Sequence, residues 1–210
     1  MNEQKSYHHG DLRRALLDVA HETVRTEGAS SLTLRGVARA ANVSHAAPYH
    51  HFRDKEALLA VLAEEGFGSL RKAMDARAAK ASNPGLAMQE AAIAYVAFAV
   101  GQPELFRIMF GPQLSDKSAY PSLQVASRAA YGLIEDGLRQ AGGSSAKGAA
   151  TEHLAVASWS IIHGLAMILI DGQFELSDNA DAEAVARKVT NVFWKGLSSY
   201  GRGPSRGSSG

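Results

Sequence analysis

Residues Thr33–Lys55 read TLRGVARAANVSHAAPYHHFRDK, and this stretch decides the fold of the N-terminal part of the chain. Its apolar spacing predicts two short helices, Leu34–Ala41 and His45–His51, joined by a tight turn. Asn42 suits that turn, because asparagine tolerates the left-handed backbone better than most residues. Two helices joined in this way can place the second in the major groove of DNA while the first crosses the backbone.

The same stretch contains its own helix signals. Ser31, just before it, and Thr33 are candidate caps for the first short helix, Ser44 can cap the second, and Asp54 can cap the helix that follows. Pro48 lies beyond the first turn of the second short helix, where proline removes one backbone hydrogen bond and crowds a carbonyl. We therefore expect that helix to be short or irregular.

Outside this stretch the periodicity remains helical, and no strand-like alternation is visible. The fold class is therefore all-α, with an N-terminal three-helix helix-turn-helix domain followed by a larger helical ligand-binding and dimerisation domain. About nine helices are expected. Those outside the opening stretch are predicted at residues 11–27, 54–79, 85–100, 105–110, 122–141, 151–171 and 181–200.

The expected domains are a DNA-binding domain at residues 1–53, a regulatory and dimerisation domain at 54–200, and a flexible low-complexity tail at 201–210. The composition is 46% hydrophobic and 20% charged, which is ordinary for a soluble globular protein. The chain has no cysteine, so disulfides and thiolate chemistry are excluded. The N-terminus lacks the apolar core of a signal peptide, so a cytoplasmic protein is expected.

One apolar stretch, Leu154–Ile170, has no Asp, Glu, Lys or Arg and could be mistaken for a membrane span. Its 17 residues lie at the lower limit of the ~17–25 that a bilayer requires. The stretch also contains Ser158, Ser160 and His163, so a buried helix is the preferred interpretation.

The charge of residues 33–55 also favours nucleic acid. The whole chain has a formal net charge of only +1, but this stretch has four cations and a single carboxylate, Asp54. Phosphate contacts require cations, hydroxyls and helix N-termini. A generic helical turn would explain the apolar spacing, but not the exposed tyrosine, the lysine and the local excess of positive charge.

The run LTLRGVARAANVSHAAPYHHFRDKEALL resembles the DNA-binding signature of the tetracycline-repressor (TetR) family of bacterial one-component regulators. The resemblance extends over about residues 11–62, because hydrophobic spacing, turn, tyrosine, His-Phe and Lys-Glu pairs occur in order. It implies that nine residues lie near bases or phosphates. These are Thr33, Arg35, Ser44, His45, Ala46, Tyr49, His50, His51 and Lys55.

Two residues depart from the family pattern. Asn42 occupies a position that is often glycine, and Pro48 one that is often aliphatic. The adjacent His50 and His51 could suggest a metal site. Neighbours on a helix point about 100° apart, however, and no other ligand cluster accompanies them, so no metal is expected.

The C-terminal part has two helices that need partners. Residues Trp159–Ile170 are apolar nearly all round, and the last helix has a narrower apolar stripe. We expect these helices to pack on their copies in a second subunit, giving a four-helix isologous interface and a homodimer. The alternative is that they are core helices of a monomer. The stripe consists of Val185, Val189, Val192, Phe193, Gly196 and Tyr200.

The runs AYVAFAVGQPELFRIMFGP and WSIIHG are similar to the C-terminal domain of one TetR branch, marked by a Trp…His-Gly element. That similarity implies a mostly apolar effector cavity, with His163 as its polar anchor. In the alternative, aromatic and methionine residues at this spacing simply form the core. The candidate wall residues are Tyr95, Phe98, Phe106, Met109, Phe110, Tyr131, Trp159, His163 and Met167.

Three hypotheses follow for function. The first is a homodimeric repressor that binds an inverted-repeat operator and is released by a small apolar effector, with no cofactor and no catalysis. The second is a dimeric binding module without DNA function. The third is a helical enzyme using His163 and Asp171, but eight residues of helix put about 12 Å between them, too far for direct contact.

Overall fold

The structure is a computed structural model and describes residues 9–114, 116–142, 149–173 and 181–200. Those residues form eight α-helices and contain no strand, so the all-α prediction is confirmed. The predicted tail 201–210 lies outside the described residues, as does the side chain of Tyr200. The helices are α1 His9–Glu27, α2 Leu34–Ala40, α3 Lys55–Ala78, α4 Pro84–Gly101, α5 Pro103–Phe110, α6 Pro121–Gly142, α7 Ala149–Ile170 and α8 Ala182–Tyr200.

The helix predicted at His45–His51 is short and irregular, as the position of Pro48 led us to expect, so the described residues form eight α-helices where about nine helices were expected. Residues Ala47–His50 form a single 3-10 turn. Pro48 has no N–H to donate, and the Ser44 carbonyl accepts from the Ala47 amide at 3.0 Å instead. The tighter i to i+3 pattern continues from Tyr49 to Ala46 at 3.1 Å. Ser44 is not the side-chain cap of this turn, which begins after Ala46 without one.

The chain forms two compact units, Met1–Ser69 with Gln102–Ala129, and Leu70–Gly101 with Ala130–Gly210. The first unit therefore contains α5, which is remote in sequence from the N-terminal helices. The predicted domain boundary between residues 53 and 54 stays a prediction, since a packing unit need not coincide with a functional domain.

The core of the first unit joins α1, α2 and the start of α3 to α5. Helix α1 contributes Leu16, Leu17 and Ala20, all fully or almost fully buried. Burying one leucine of this kind contributes about 1.5–3 kcal/mol. Helices α3 and α5 approach closely at Gly66, because a Cβ there would lie 2.7 Å from Met109 Sδ.

In the second unit α4 packs against α7 and α8. Ile93 and Val96 of α4 are buried with Ala186 of α8, and Ile162 of α7 packs on this cluster. The buried amide of Gln89 donates to Thr190 Oγ1 at 3.1 Å, so its polar group is satisfied within the core.

Helix α7 is only partly covered by its own chain. Within the described residues, Glu152–Ile170 is an uninterrupted helix long and apolar enough by composition to span a membrane, and 17% of it is buried. A core helix of a soluble protein passes the same test. The expectation that Leu154–Ile170 would be a buried helix is therefore not met within one chain.

Four side chains from α3, α4 and α8 form an alternating ion network. Arg77 Nε lies 2.7 Å from Glu90 Oε2, and Arg77 Nη2 lies 2.7 Å from Glu183 Oε2. Arg187 Nη1 lies 2.6 Å from the other Glu90 oxygen. Hydrogen bonds from Arg187 and Arg77 lower the pKa of Glu90, although its partial burial opposes the shift.

Glu90→Gln should lower the free energy of unfolding at pH 7 by about 1–2 kcal/mol, because two guanidinium groups lose a charged partner. The pKa of Glu90 is lower in the folded protein than in the unfolded chain, where it is about 4.3. Its contribution to the free energy of unfolding is therefore fully present above about pH 4.3, and it is lost as the pH falls through the folded-state pKa. Urea unfolding at pH 7 and pH 3 should show the difference between the two proteins shrinking in acid.

The matched control is Glu135→Gln, which removes a single contact of 3.6 Å to Arg139 Nη2 on the surface of α6. This change should cost less than about 0.5 kcal/mol at pH 7. Equal losses from the two variants would mean that the network adds nothing beyond a surface pair.

Candidate nucleic-acid interface and ligand cavity

Helix α2 begins at Leu34 and is capped by Thr33, one of the two candidate caps. The Gly36 amide donates to Thr33 Oγ1 at 2.9 Å, which satisfies one of the free N–H groups of the first turn. Gly36 leaves room for this bond, because a Cβ there would lie 2.8 Å from Thr33 Oγ1. The Thr33 hydroxyl accepts in this bond, so its own hydrogen can be donated to a phosphate oxygen.

The turn after α2 is closed by backbone hydrogen bonds. The Asn42 amide donates to Arg39 O at 3.1 Å, and the Val43 amide donates to Ala38 O at 3.0 Å. Asn42 has a φ of 55°, which is the left-handed backbone conformation that this pair of hydrogen bonds requires. The prediction that asparagine makes the tight turn is confirmed.

The 3-10 turn at Ala47–His50 and the two residues before it present four predicted DNA-contacting side chains to solvent. His45, Ala46 and His50 are exposed, and Tyr49 is 52% exposed despite its large ring. Pro48 is buried beneath them and fixes the turn to the unit. An exposed aromatic ring with a hydroxyl can contact both the sugar-phosphate backbone and an apolar base edge.

The other predicted DNA-contacting residues differ in their exposure to solvent. Arg35 and Ser44 are exposed, whereas His51 and Lys55 are half-buried. Lys55 Nζ donates to the Ser30 carbonyl at 3.2 Å, so this ammonium also connects the start of α3 to the loop before α2. The DNA contacts of the nine residues therefore stay a prediction. Lys55 also has a structural role.

Sequence reasoning missed one contact in this unit. Arg53 Nη2 donates to Tyr120 Oη at 3.0 Å, and its guanidinium lies 5.4 Å from the centre of the same ring. Arg53 Nε also lies 3.0 Å from Asp54. The two partners are 67 residues apart, and no local pattern relates them. Tyr120 therefore orients a cation that directly follows the helix-turn-helix segment.

The second unit contains an apolar cavity of about 50 Å³. It lies between the C-terminal part of α3 and helices α4, α6, α7 and α8. Its wall consists of Met74, Met88, Ala91, Ala92, Tyr95, Leu133, Ile134, Ser158, Trp159, Ile162, Thr190, Phe193 and Trp194.

A polar cluster lies at the edge of this cavity. Tyr95 Oη lies 2.9 Å from His163 Nδ1, and Trp159 Nε1 donates to the same oxygen at 3.3 Å. The tyrosine can donate its own proton to Nδ1, which places the ring proton of His163 on Nε2. Burial raises the pKa of Tyr95 and lowers that of His163, so both groups are neutral at pH 7.

The structure brings some of the predicted effector residues together and separates others. Tyr95 and Trp159 line the cavity, and His163 and Tyr131 contact them through ring contacts. Phe98 is buried and Met167 half-buried, and neither belongs to the wall. The other three predicted residues lie in the first unit, where Phe110 packs against Phe67. They are Phe106, Met109 and Phe110.

Several wall residues were not identified from the sequence. Met88 and the α8 pair Phe193 and Trp194 line the cavity. The sequence pattern places Phe193 in the dimer stripe, because such a pattern shows that a position is apolar but not which neighbour it faces. Among the described residues no group of three His, Asp or Glu side chains could hold a metal ion.

Two family models match the chain. Residues 16–62 match the bacterial regulatory proteins of the tetR family, and residues 88–193 match the tetracyclin repressor-like C-terminal domain. Among curated proteins, no sequence matches this chain.

Solved structures match over most of their length. A protein of unknown function from Rhodococcus sp. RHA1 is 35% identical, with a TM-score of 0.77 over 92% of this chain and 98% of that one. The TetR family transcriptional regulator PfmR from Thermus thermophilus is 20% identical, with a TM-score of 0.64 over 87% and 98%. FadR from Bacillus subtilis, solved in complex with stearoyl-CoA, is 15% identical, with a TM-score of 0.67 over 86% and 96%. The last two show a shared fold.

The left-handed Asn42 yields a prediction about stability. Asn42→Gly should leave the free energy of unfolding unchanged or slightly raised, whereas Asn42→Val should lower it by about 1–2 kcal/mol, because a β-branched side chain clashes at positive φ. Urea unfolding followed by circular dichroism measures both. A valine variant as stable as the wild type would show that this turn does not require the left-handed backbone.

Proposed function

This chain belongs to the tetracycline-repressor (TetR) family of DNA-binding transcriptional regulators, and from this we propose that it is a repressor. It acts in the cytoplasm as a homodimer that binds an inverted-repeat operator. A small, mostly apolar effector enters the second unit and releases it. The single observation that supports the paired mode of action is the apolar surface that α7 and α8 leave uncovered.

The DNA-reading surface consists of the start of α2, the Ala47–His50 turn and the start of α3. Thr33 and Lys55 supply a hydroxyl and an ammonium suited to phosphates, while His45 and Tyr49 are exposed where base edges can be reached. The turn is short and Ala46 offers only apolar contact, so Arg35 and the shape of the duplex contribute to specificity.

The dimer interface is proposed from helix α7. Val156, Ser160, Gly164 and Ile168 recur at intervals of four, which places them along one ridge of the helix. Val156 and Ile168 are 49% and 41% exposed although both are large and apolar. A Cβ added to Gly164 would meet nothing within 4 Å in the described chain, so another helix can approach closely there.

Helix α8 has a matching feature. Val192 is 74% exposed, and the exposed Gly196 lies one turn further along, at the same interval of four. Pairing α7 and α8 with their copies gives a four-helix interface in which each side contributes the same surface. The two reading turns of such a dimer must lie about 34–36 Å apart to enter successive major grooves.

The proposed effector acts through a difference in affinity. A ligand in the cavity shifts the protein only as far as it binds one conformation better than the other. The family provides the regulatory domain, and the apolar cavity between five helices provides a place for the ligand.

Single substitutions should separate the roles within the DNA surface. His45→Ala should change preference among sequences by about 1–3 kcal/mol at one base position. Lys55→Ala should weaken binding to all sequences alike and lower the slope of log affinity against log salt by about 1 for each chain. Fluorescence anisotropy on operator and scrambled duplexes, at several salt concentrations, measures both effects.

Lys72→Ala is the matched control, since Lys72 is exposed and lies outside the proposed surface. It should leave affinity and salt slope unchanged. If the His45 and Lys55 variants lost the same amount of affinity for every DNA sequence, the proposed separation of base and phosphate contacts would be contradicted.

Val192→Arg should convert the dimer to a monomer and abolish operator binding, because it places a charge in an apolar interface. Val125→Arg is its control, since this valine is 68% exposed on α6 and lies outside the proposed interface. Sedimentation equilibrium gives the mass of each variant. A monomeric wild type, or a dimeric Val192 variant that still binds operator, would refute the proposed interface.

A further inference from the structure

The wall of the cavity in the second unit contains no charged side chain among the described residues that form it. The hydroxyl groups in it are already engaged. Ser158 Oγ donates to the Leu154 carbonyl at 2.7 Å, and Thr190 Oγ1 donates to the Ala186 carbonyl at 2.8 Å. The third hydroxyl, Tyr95 Oη, lies 2.9 Å from His163 Nδ1 and accepts from Trp159 Nε1. A carboxylate or phosphate entering this space would be buried without a cation and without a hydroxyl to replace its water, which is strongly unfavourable.

The rest of the cavity wall is rich in aromatic rings and includes a flexible, polarizable methionine side chain. Tyr95, Trp159, Phe193 and Trp194 supply four aromatic rings, and Met88 is an unbranched thioether beside them. Aromatic pairs in offset or edge-to-face contact gain attraction beyond the area they bury, and a thioether sulfur adds to it. The wall therefore favours a flat aromatic guest over an aliphatic one of equal size.

We propose that the effector is a small, uncharged aromatic molecule that binds among these four rings. This inference rests on the proposed function, since it names the chemical class of the effector in that scheme.

The cavity must enlarge to admit such a molecule. At about 50 Å³ it is much smaller than the ~150 Å³ apolar cavity that binds benzene in an engineered protein. Met88 is the side chain best placed to give way, because it packs on the bare backbone of Gly137. A Cβ at Gly137 would lie 2.6 Å from Met88 Cγ. An unbranched methionine reaches other rotamers at little cost, and its movement adds volume at the α4 and α6 wall.

The full-length protein supplies its own reporter, because both tryptophans of the chain, Trp159 and Trp194, line the cavity. Benzyl alcohol, benzoate and cyclohexylmethanol are suitable probes, since they are similar in size and differ in charge or aromaticity. Tryptophan emission and isothermal calorimetry, each run up to the solubility limit, give the affinities. Benzyl alcohol should bind, and benzoate should bind at least about tenfold more weakly. Cyclohexylmethanol should fall between them.

Two variants should move the affinity for benzyl alcohol in opposite directions. Ala92→Val fills part of the cavity and should weaken binding at least about fivefold, whereas Met88→Ala enlarges it and should strengthen binding of both benzyl alcohol and the larger 2-naphthalenemethanol. Ala76→Val, on an exposed position of α3 outside this wall, should leave all affinities unchanged. Opposite shifts cannot arise from a general loss of folding.

The outcomes discriminate between the class of effector and the proposed function. The inference is overturned if benzyl alcohol does not bind, if benzoate binds as tightly, if cyclohexylmethanol binds more tightly, or if Ala92→Val has no effect. Operator binding by the ligand-free protein is measured separately in the anisotropy assay. Retained operator binding beside any of those results leaves the proposed regulator intact and removes only the aromatic class, whereas absent operator binding rejects the regulator itself.

Discussion

Helix α7 has more apolar surface than its own chain covers, and the proposed mode of action depends on this constraint. One side packs on α4 and α8 through Ile162 and its neighbours, and only 17% of the apolar stretch is buried. Exposing the ridge that contains Val156 and Ile168 to water costs free energy, which favours contact with a second apolar surface. In the proposed dimer a second copy of the chain provides that surface. The same pairing would bring together two DNA-contacting turns, so one interface would serve both to cover α7 and to read two half-sites.

Pro48 imposes a second constraint, on the DNA-reading surface itself. The proline limits the second short helix to one 3-10 turn and so reduces the number of side chains that can project toward bases. Four exposed residues remain around it, and one of them is alanine. In the proposed function, specificity is therefore shared with Arg35 on α2 and with the deformability of the duplex. The fixed turn at Asn42 makes this sharing possible, because it sets the direction in which the short turn leaves α2.

The local features of the fold followed from the sequence because each depends on neighbouring residues. Residue type alone indicates Asn42 for the turn, Asp54 for a cap, and Thr33 as one of two candidate caps, and the structure shows these three residues in those roles. The Ala57 amide, for example, donates to Asp54 Oδ1 at 2.7 Å. The cap predicted at Ser44 is absent, because the turn begins after Ala46 without one. Contacts between distant segments could not be predicted in this way. Tyr120 holds Arg53 across 67 residues, and nothing in either local pattern indicates it.

The ligand cavity shows the same limit. Of the predicted effector residues, Tyr95 and Trp159 line the cavity, whereas Phe106 is buried in the core of the first unit. Their contact with an effector stays a prediction. Apolar spacing identifies which side chains avoid water. It does not show which apolar surface each of them meets, and that distinction separates a cavity wall from a core.

The most direct test of the proposed dimeric DNA binding is selection of bound sequences from a random duplex pool at physiological salt, followed by footprinting of the enriched site. The account predicts an inverted repeat whose half-site centres lie about 10–10.5 base pairs apart, or a multiple of that spacing, with protection on both halves. A single unpaired half-site, or enrichment no greater than that of random DNA, would contradict it.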